Sequence, residues 1–235
     1  MTAGRIARFV GAVVATTWAL VIAPVPSAAA QPCPDIEIVF ARGTAEAPGV
    51  GGVGQAFVDS LRSQADGREV AVYPVNYAAS GDFNNRIEFA RTVVDGIRDA
   101  GNHVESMAAN CPNTRMVLGG YSQGAVVAGY VTSAVVPEGI PAEFRAFIPN
   151  PMPAAVADHV AAVVLFGKPS DQWMRDIGAP AVVIGPPYAP KTLNLCIPDD
   201  TICNGAPVGG PSIGHALYAM NGMTNEGAAY AAARL

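Results

Sequence analysis

One serine stands in a setting that suits a nucleophile. The segment Gly120-Tyr121-Ser122-Gln123-Gly124 has the spacing G-x-S-x-G, with a predicted strand over residues 116–118 before it and a predicted helix after it. A serine on such a tight turn exposes its hydroxyl, and the helix N-terminus directs backbone N–H groups and a positive dipole end at the reacting oxygen. An ordinary glycine-rich turn is the alternative, because the bare pattern also occurs by chance.

A serine hydroxyl needs a base at neutral pH, and the chain has three histidines. His103 falls in the middle of a predicted helix, where a packing or surface role is expected. His159 directly precedes a predicted strand over residues 162–166, which puts it at the N-terminal edge of a parallel sheet, away from the nucleophile. His215 lies in a glycine-flanked loop that can reach the opposite edge, so elimination favours it as the base.

The base in turn needs a carboxylate that holds its tautomer and stabilises its cation. Asp199 and Asp200 lie between Ser122 and His215, in the turn between two cysteines, and the order serine, acid, histidine is common behind such a serine turn. Aspartate is also frequent in plain turns, so one of the two is expected to have no chemical role.

A developing oxyanion needs two N–H donors. The N–H of Gln123 comes with the serine turn. Arg42-Gly43-Thr44 follows a predicted strand over residues 36–41 and is well placed to supply the second donor, with Thr44 offering both its N–H and its hydroxyl. A glycine turn without chemistry is the alternative for this segment.

The elements that must position these residues alternate along the chain, which predicts an α/β fold with a largely parallel sheet covered on both faces. Apolar and β-branched runs predict strands, and apolar residues at three- to four-residue spacing predict helices. Strands are expected over residues 36–41, 70–73, 115–118, 162–166, 181–184 and 192–195. Helices are expected around residues 53–61, 86–109, 123–136 and 223–235, the last capped by Thr224 or Asn225. In the second of these helices, one face is expected to hold the apolar residues Ile87, Val94, Ile97, Val104 and Met107. Residues 169–180 are expected to be mostly loop.

The N-terminus has the pattern of a secretory signal. Arg5 and Arg8 form a basic start, an apolar run follows, and the small residues 28–30 offer a cleavage site. A membrane anchor is the alternative, but the apolar run is shorter than the roughly 20 residues that a spanning helix needs. We therefore expect a cleaved signal peptide over residues 1–30 and a single domain over residues 31–235, outside the cytoplasm and without a stable membrane span.

The four cysteines are Cys33, Cys111, Cys196 and Cys203, an even number that predicts two disulfides in an exported chain. Three pairings are possible, and a local bridge between Cys196 and Cys203 is the simplest because only a short turn separates them. That choice leaves Cys33 for Cys111. Zinc binding is disfavoured because the paired C-x-x-C spacing is missing.

Charge and composition exclude some partners. The formal net charge of −5 becomes −7 when the two arginines of the predicted signal are removed. A surface this acidic argues against nucleic acid or an anionic membrane as the main partner. Hydrophobic residues make up 51% of the chain and charged residues only 14%, which fits either a large core or an apolar surface that meets greasy substrates.

Taken together, these residues resemble the cutinase family of small secreted serine esterases, especially its bacterial members. The resemblance covers nearly the whole chain after residue 30. It is carried by Cys33-Pro34, by Val39-Phe40-Ala41-Arg42-Gly43-Thr44, by Cys111 shortly before the serine turn, by Gly120-Tyr121-Ser122-Gln123-Gly124, by Cys196-Ile197-Pro198-Asp199-Asp200-Thr201-Ile202-Cys203 and by Gly214-His215.

The resemblance implies a three-layer α/β/α sandwich around a five-stranded parallel sheet, that is, a lidless α/β-hydrolase without metal or cofactor. The family places its acid three residues before the closing cysteine, at Asp200. Its oxyanion donors fall on Thr44 and Gln123, and its disulfides on Cys33–Cys111 and Cys196–Cys203.

The resemblance further implies a secreted, monomeric enzyme that hydrolyses short- to medium-chain carboxylic esters, with cutin-like polyesters or lipids as further substrates. Ser122, His215 and Asp200 would carry the reaction. A phospholipase A or thioesterase is the alternative enzyme, a catalytically silent lipid-binding antigen is the alternative without catalysis, and retention at the cell envelope is compatible with export. The proline-rich residues 137–153 depart from compact family members and are a candidate lining for the substrate groove.

Overall fold

The computed structural model describes residue 1 and residues 32–235 except residues 139 and 141, so nearly all of the predicted signal peptide lies outside the described residues. Five strands form one parallel sheet in the order β2-β1-β3-β4-β5. The strands are β1 (Ile36–Ala41), β2 (Val70–Pro74), β3 (Arg115–Tyr121), β4 (Val160–Phe166) and β5 (Thr192–Leu195).

Helices cover both faces of this sheet, with α1 and α6 on one face and α2 and α3 on the other. The architecture is therefore the expected three-layer α/β/α sandwich with five parallel strands. The helices are α1 (Gly51–Ser63), α2 (Arg86–Asn110), α3 (Gln123–Val131), α4 (Ala142–Arg145), α5 (Asp171–Asp176) and α6 (Met223–Ala232), and 3₁₀ turns cover Ala154–His159, Ala189–Lys191 and Ile213–Ala216.

The sheet separates two hydrophobic cores. Its middle strands are apolar on both faces because helices cover both, and all seven residues of β4 are buried. On the α1/α6 side, the rings of Phe40, Phe57 and Phe166 pack with centroids 5.5–6.3 Å apart. On the α2/α3 side, Leu118 and Val163 pack among smaller residues of the two helices.

The buried face of α2 combines small residues with part of the apolar stripe predicted from the sequence. The fully buried positions of α2 are Thr92, Gly96, Ala100 and Val104. Ile97 and Met107 are partly buried and pack against the same core. Ile87 is 62% exposed, so the predicted stripe leaves the core at the start of the helix.

Residues 181–184 do not form a strand, although their apolar, β-branched run predicted one. The position beside β4 is taken by β5, and the segment instead runs over the outside of α3. Val182 packs against Val126 there, and Val183 is 60% exposed. The N–H of Gly185 bonds to the carbonyl of Thr132, which ties the segment to the end of the helix rather than to the sheet.

Three helix boundaries also differ from expectation. Helix α3 ends at Val131 instead of running to residue 136. Helix α6 is capped by Gly222, whose φ of 90° lies in the left-handed region, and neither predicted residue serves as the cap. The segment 169–180, expected to be loop, contains α5, which begins after Ser170 because that side chain accepts a bond from the N–H of Trp173.

Both expected disulfides are present, Cys33–Cys111 and Cys196–Cys203. Across the described part of the chain, no helix is both long enough and apolar enough to cross a membrane. The chain leaves β1 toward one side of the sheet for β2 and returns to the other side for β3. The carboxyl ends of β1 and β3 therefore flank a crevice of the kind where ligands of parallel sheets bind.

Candidate active site

Ser122 lies at this crevice, on a strained turn between β3 and α3. Its backbone has φ 53° and ψ −117°, a conformation that costs a non-glycine residue of the order of 1–3 kcal/mol. The flanking glycines allow the turn, because a Cβ on Gly120 would collide with the carbonyl of Gly124, and one on Gly124 with the carbonyl of Ala41. The N–H of Ser122 continues the sheet by bonding to the carbonyl of Phe166 at 2.9 Å.

His215 contacts this serine directly. Its Nε2 lies 2.9 Å from the Ser122 Oγ, within hydrogen-bond distance. The imidazole lies on the 3₁₀ turn Ile213–Ala216, and only 8% of the residue is exposed. The Tyr121 hydroxyl donates to the His215 carbonyl at 2.5 Å, and burial raises the pKa of Tyr121, which keeps that hydroxyl protonated as a donor.

Asp200 completes a chain of three side chains. Its Oδ2 lies 2.8 Å from the Nδ1 of His215, and the residue is fully buried. Asp199 points elsewhere: it is exposed, and its contact with this region is a backbone carbonyl that accepts from the Ser212 hydroxyl. Of the two aspartates that the sequence offered, the structure therefore brings Asp200 to the imidazole.

Two further donors hold the Asp200 carboxylate. The Tyr218 hydroxyl donates to Oδ2 at 2.7 Å, and the N–H of Ile202 donates to Oδ1 at 2.9 Å. Burial by itself would raise the pKa of Asp200, but the hydrogen bonds from His215, Tyr218 and Ile202 outweigh burial and lower it below its ordinary value of 3.8. Asp200 is thus ionised at neutral pH despite being buried.

Gly167 gives these groups room to meet. It follows β4 and has a φ of 56°, in the region that favours glycine. A Cβ there would lie 3.0–3.2 Å from Tyr218, Asp200 and His215. Neither Tyr218 nor Gly167 was identified from the sequence. The need for a glycine at position 167 is visible only when the segments that carry Asp200, His215 and Tyr218 are packed around it.

Thr44 and Gln123 lie at the same crevice as Ser122 and His215. Among the described residues, no protein acceptor pairs with the backbone N–H of Thr44 or of Gln123. Both N–H groups are therefore available to a bound oxygen. Gln123 is the first residue of α3, so its N–H is one of the free donors that every helix N-terminus carries.

The Thr44 loop is held by two charged residues, Arg42 and Glu46, for which no such role was predicted from the sequence. The Glu46 carboxylate accepts from the N–H of Gly43 at 2.5 Å and from the N–H of Gly52 at 2.8 Å. Arg42 is buried and donates to the carbonyl of Glu46 at 2.9 Å and to that of Tyr77 at 2.5 Å. Because these bonds pair N–H and carbonyl groups of the loop with charged side chains, the loop backbone is held in place without a bound substrate.

The Gln123 side chain connects α3 to a second loop beside Thr44. Its Nε2 donates to the Ser80 carbonyl at 3.1 Å, and the N–H of Ala45 bonds to the carbonyl of Ala79 at 2.7 Å. Residues 79–81 are thereby clamped between α3 and the Thr44 loop. The Oε1 of Gln123 is buried and has no partner among the described residues.

The other two histidines lie outside this cluster. His103 stacks on Tyr73 of β2 with ring centroids 3.4 Å apart, and its Nε2 lies 3.0 Å from the carboxylate of Glu37 on β1. It is thus packed between α2 and these two strands. His159 lies at the N-terminal edge of the sheet, where its Nδ1 is 3.1 Å from the carbonyl of Pro112. The described residues contain no group of three or more histidine, cysteine or acidic side chains that could hold a metal ion.

A long cleft of about 1770 Å³, hereafter the groove, begins at Ser122 and His215. One wall is the outward face of α2, and the other includes residues 135–137 and 147–152. The proline-rich segment therefore does line the groove, as expected. Most of the lining side chains are apolar, and they include Ile87, Val126 and Trp173.

A sequence profile of the cutinase family matches residues 32–235. The chain is 49% identical to carboxylesterase Culp1 of Mycobacterium tuberculosis over 239 residues, covering all of this chain and 98% of the relative. It is 41% identical to phospholipase Culp4 of the same organism, with 99% and 93% of the two chains covered. Among solved structures, it is similar to Trichoderma reesei cutinase in complex with a phosphonate inhibitor, with a TM-score of 0.58, 29% identity and coverage of 85% and 75%.

The α/β/α sandwich, the serine turn between β3 and α3 and these similarities agree with one another. Carboxylesterases, a phospholipase and a cutinase are among the proteins to which the chain is similar over most or all of its length. The chain belongs to the cutinase family and is a carboxylic ester hydrolase.

Proposed function

We propose that this enzyme is a secreted serine esterase in which Ser122 is the nucleophile, His215 the general base and Asp200 the residue that orients and stabilises the base. The observation that carries the proposal is the unbroken chain of contacts from the Ser122 Oγ to His215, at 2.9 Å, and from His215 to Asp200, at 2.8 Å. A nucleophile, a base and an orienting group within hydrogen-bond reach of one another are what nucleophilic catalysis requires.

In the first step, Ser122 attacks the ester carbonyl carbon while its proton moves to the Nε2 of His215. A C–O bond forms, and the carbonyl π bond becomes a lone pair on the oxyanion. The backbone N–H groups of Thr44 and Gln123 receive this oxyanion, and each donor of that kind is worth about 2.7–4 kcal/mol of transition-state stabilisation. Their free N–H groups at the crevice support the assignment.

In the second step, the tetrahedral intermediate collapses, and His215 gives the proton to the departing alcohol. Water then attacks the acyl-serine ester, His215 accepts the water proton and returns it to Ser122, and the carboxylic acid leaves. Asp200 stays ionised throughout, because the hydrogen bonds that lower its pKa favour the carboxylate. The ion pair with protonated His215 is therefore available in both halves of the reaction.

The disulfides support export. Two disulfides form readily only in an oxidising compartment, and all four cysteines of the chain are paired. We propose that residues 1–30 are a cleaved signal peptide and that the mature enzyme, residues 31–235, acts as a single-domain monomer outside the cytoplasm, with retention at the cell envelope as a variant of the same proposal.

Lipid hydrolysis is the second candidate function. The apolar groove and the similarity to a protein named phospholipase favour a phospholipase A activity with the same three residues. The chemistry would be unchanged, since a phospholipid also offers a carboxylic ester to Ser122. A thioesterase would use the same serine and oxyanion donors with a sulfur leaving group.

The test is hydrolysis of p-nitrophenyl esters from acetate to palmitate by the mature protein, by Ser122→Ala and by Ser63→Ala, whose hydroxyl lies on the surface of α1 and bonds only within that helix. We expect hydrolysis to disappear in Ser122→Ala and to persist in Ser63→Ala. Reaction with a diethyl phosphate ester should label one peptide, the one that contains Ser122. Equal hydrolysis by the wild type and Ser122→Ala would refute the proposal, and parallel assays with a diacyl phospholipid and an acyl thioester separate the two candidate functions.

A further inference from the structure

Two asparagines of the chain are followed directly by glycine, in the pairs Asn204-Gly205 and Asn221-Gly222. Both asparagines are exposed, and the glycines have positive φ values of 88° and 90°. Asparagine is among the thermolabile residues of proteins, because a backbone nitrogen can attack its side-chain amide. Glycine has no Cβ to shield its nitrogen in this reaction. The two pairs are therefore candidate sites of a spontaneous covalent change.

The side-chain carbonyl of each asparagine is already hydrogen-bonded. The Oδ1 of Asn204 accepts from the N–H of Ala206 at 3.0 Å, and the Oδ1 of Asn221 accepts from the N–H of Met223 at 3.1 Å. Each bond folds the side chain forward along the chain, toward the peptide nitrogen of the glycine. It also directs a donor at the oxygen that becomes negative when this nitrogen attacks the amide carbon. The two asparagines thus share the features that promote the attack.

Asn204 differs from Asn221 in what its amide nitrogen does. The Nδ2 of Asn204 donates to the carbonyl of Pro198 at 2.9 Å, and the backbone N–H of the same residue bonds to the carbonyl of Asp200 at 3.0 Å. Among the described residues, no acceptor pairs with the Nδ2 of Asn221. Conversion of the amide to a carboxylate therefore removes a donor that is in use at Asn204 and not at Asn221.

The bond between Asn204 and Pro198 closes the loop that carries Asp200. This loop lies within the ring of the Cys196–Cys203 disulfide, and Asn204 directly follows that ring. Asp200 is fully buried, and its Oδ2 lies 2.8 Å from the Nδ1 of His215. A change at Asn204 is therefore transmitted to the base through the acid, without any contact with the substrate.

We propose that Asn204 is a modification site at which spontaneous loss of ammonia loosens the loop around Asp200 and lowers the activity of the enzyme as it ages. The backbone nitrogen of Gly205 gives up its proton to solvent and attacks the Cγ of Asn204. A C–N bond forms, and the Cγ–Nδ2 bond breaks as ammonia takes up a proton and leaves. Water then opens the cyclic imide at either carbonyl, which yields aspartate or isoaspartate. The net reaction consumes water and releases ammonia.

The product lacks the donor that the loop uses. A carboxylate carries no N–H, so the carbonyl of Pro198 loses its partner and faces a second acceptor. Isoaspartate also routes the main chain through the side chain, which adds a methylene group to the backbone beside Cys203. We expect the loosened loop to hold Asp200 less firmly against His215. The modification itself is independent of the proposed function, and only its effect on turnover rests on the role proposed for Asp200.

The first experiment ages the mature wild type and Asn204→Ala at mildly alkaline and at mildly acidic pH, with peptide mass mapping and kcat on p-nitrophenyl butyrate at intervals. Alkaline conditions should speed the reaction, because the attacking nitrogen must lose its proton. We expect residue 204 of the wild type to gain the mass of a carboxylate in place of an amide, and kcat to fall with the modified fraction. Asn204→Ala forms no imide at this position and should keep its starting kcat. Modification at residue 204 without loss of kcat would overturn the proposal, as would loss of kcat without this modification.

Fixed variants test the consequence without ageing. Asn204→Asp introduces the carboxylate, Asn204→Ala removes the amide without adding charge, and Asn221→Asp is the matched control at the other Asn-Gly pair. We expect Asn204→Asp to lower kcat about fivefold, the factor that corresponds to the loss of one hydrogen bond, and Asn204→Ala to lower it less. Asn221→Asp should behave as the wild type. KM should change little in all three variants, because neither position lines the groove.

Failure of this inference and failure of the proposed function give different results. Equal kcat values for Asn204→Asp and the wild type, together with loss of turnover in Asp200→Asn, would refute the role of Asn204 and leave the mechanism intact. Full turnover in Asp200→Asn would refute the mechanism and with it the effect of Asn204 on turnover, whereas the loss of ammonia would still be seen in the mass map.

Discussion

The Tyr218 hydroxyl and the His215 imidazole contact the same oxygen of Asp200, at 2.7 Å and 2.8 Å. Tyr218 is completely buried, and its oxygen also accepts from the N–H of Ile197 at 3.1 Å. Burial and the neighbouring Asp200 raise the pKa of Tyr218, so its hydroxyl keeps its proton. In the proposed mechanism, Tyr218 therefore acts on His215 through Asp200. It is a positioning residue that packs against the rings of Tyr121 and His215 and is not itself part of the groove lining.

Removing this hydroxyl should make the enzyme more sensitive to acid. The lowered pKa of Asp200 means that its carboxylate stabilises the fold above the ordinary value of 3.8, and that this contribution is lost as the pH falls through the lower folded-state value. Tyr218→Phe takes away one donor, so the pKa of Asp200 rises toward 3.8 and the loss is complete at a higher pH. At pH 7 the free energy of unfolding should fall by about 1.5–3 kcal/mol, the usual worth of a hydrogen bond to a charged group.

Urea unfolding between pH 2.5 and 7 measures this effect, with Tyr230→Phe as the control, because the Tyr230 hydroxyl makes no hydrogen bond to any described residue. Loss of the bond from Ile197 lowers the stability of Tyr218→Phe equally at all pH values, because neither partner titrates in this range. Only loss of the bond to Asp200 makes the difference from the wild type depend on pH. Parallel stability curves for Tyr218→Phe and the wild type would therefore show that Tyr218 does not stabilise the Asp200 carboxylate.

Replacing the two neighbouring aspartates should have very different effects on turnover. Asp200→Asn keeps the shape of the side chain but disfavours the imidazole tautomer that Ser122 needs, a change that costs about 10⁴-fold in kcat in enzymes of this type. Asp199→Asn alters an exposed side chain and should change kcat less than about twofold. Steady-state kinetics on p-nitrophenyl butyrate checks both variants, and the reverse order of effects would mean that the wrong carboxylate was chosen.

Removing one disulfide should mainly affect stability, and removing the other should also affect activity. By loop entropy, the Cys33–Cys111 bridge stabilises by about 4.5 kcal/mol and the Cys196–Cys203 bridge by about 2.4 kcal/mol. Only the smaller ring contains Asp200, so Cys196→Ser with Cys203→Ser should lower kcat at 25 °C. The pair Cys33→Ser with Cys111→Ser should lower the melting temperature more and kcat little. Activity and melting temperature measured together test this, and unchanged kcat after loss of the small ring would contradict it.

Glu46 should influence the oxyanion donor without contacting the substrate. Glu46→Gln removes one of the two acceptor oxygens that hold the N–H groups of Gly43 and Gly52, which loosens the loop that carries Thr44. We expect kcat to fall roughly tenfold, less than the 10²–10³-fold typical of losing an oxyanion donor outright, with a smaller change in KM. Glu69→Gln, at an exposed position before β2, is the control. A pure rise in KM would show that the loop binds substrate rather than stabilising the transition state.

The serine turn could be predicted from sequence because its requirements are local. Two glycines, a preceding strand and a following helix all fall within about fifteen residues. Each of them is needed to place the serine on a tight turn with its hydroxyl exposed. The choice of the acid needed more than a local pattern, because Asp199 and Asp200 are equivalent as turn residues. Only the resemblance to the cutinase family pointed to Asp200. Tyr218, Glu46 and Gly167 have no local signature, because each acts through a contact that forms only after distant segments have been placed together.

Two of the incorrect predictions have a common physical cause. An apolar run indicates that a segment is covered, but not by what. Residues 181–184 are covered by α3 and not by a neighbouring strand. Ile87 lines the groove, whereas Val104 of the same predicted stripe is buried in the core. Where a helix borders both a core and an apolar groove, its hydrophobic pattern reports both, and sequence periodicity alone does not distinguish them.

The division of the molecule by its sheet has a practical meaning for protein engineering. The long wall of the groove is α2, on the α2/α3 side, whereas α1 and the C-terminal helix α6 meet on the other side around Phe57, Leu61 and Ala228. Improvements in heat resistance can therefore be sought by repacking the α1/α6 layer, away from Tyr218, without altering the groove residues of α2. Changes on the two sides share few neighbours, so their effects on the enzyme should be additive.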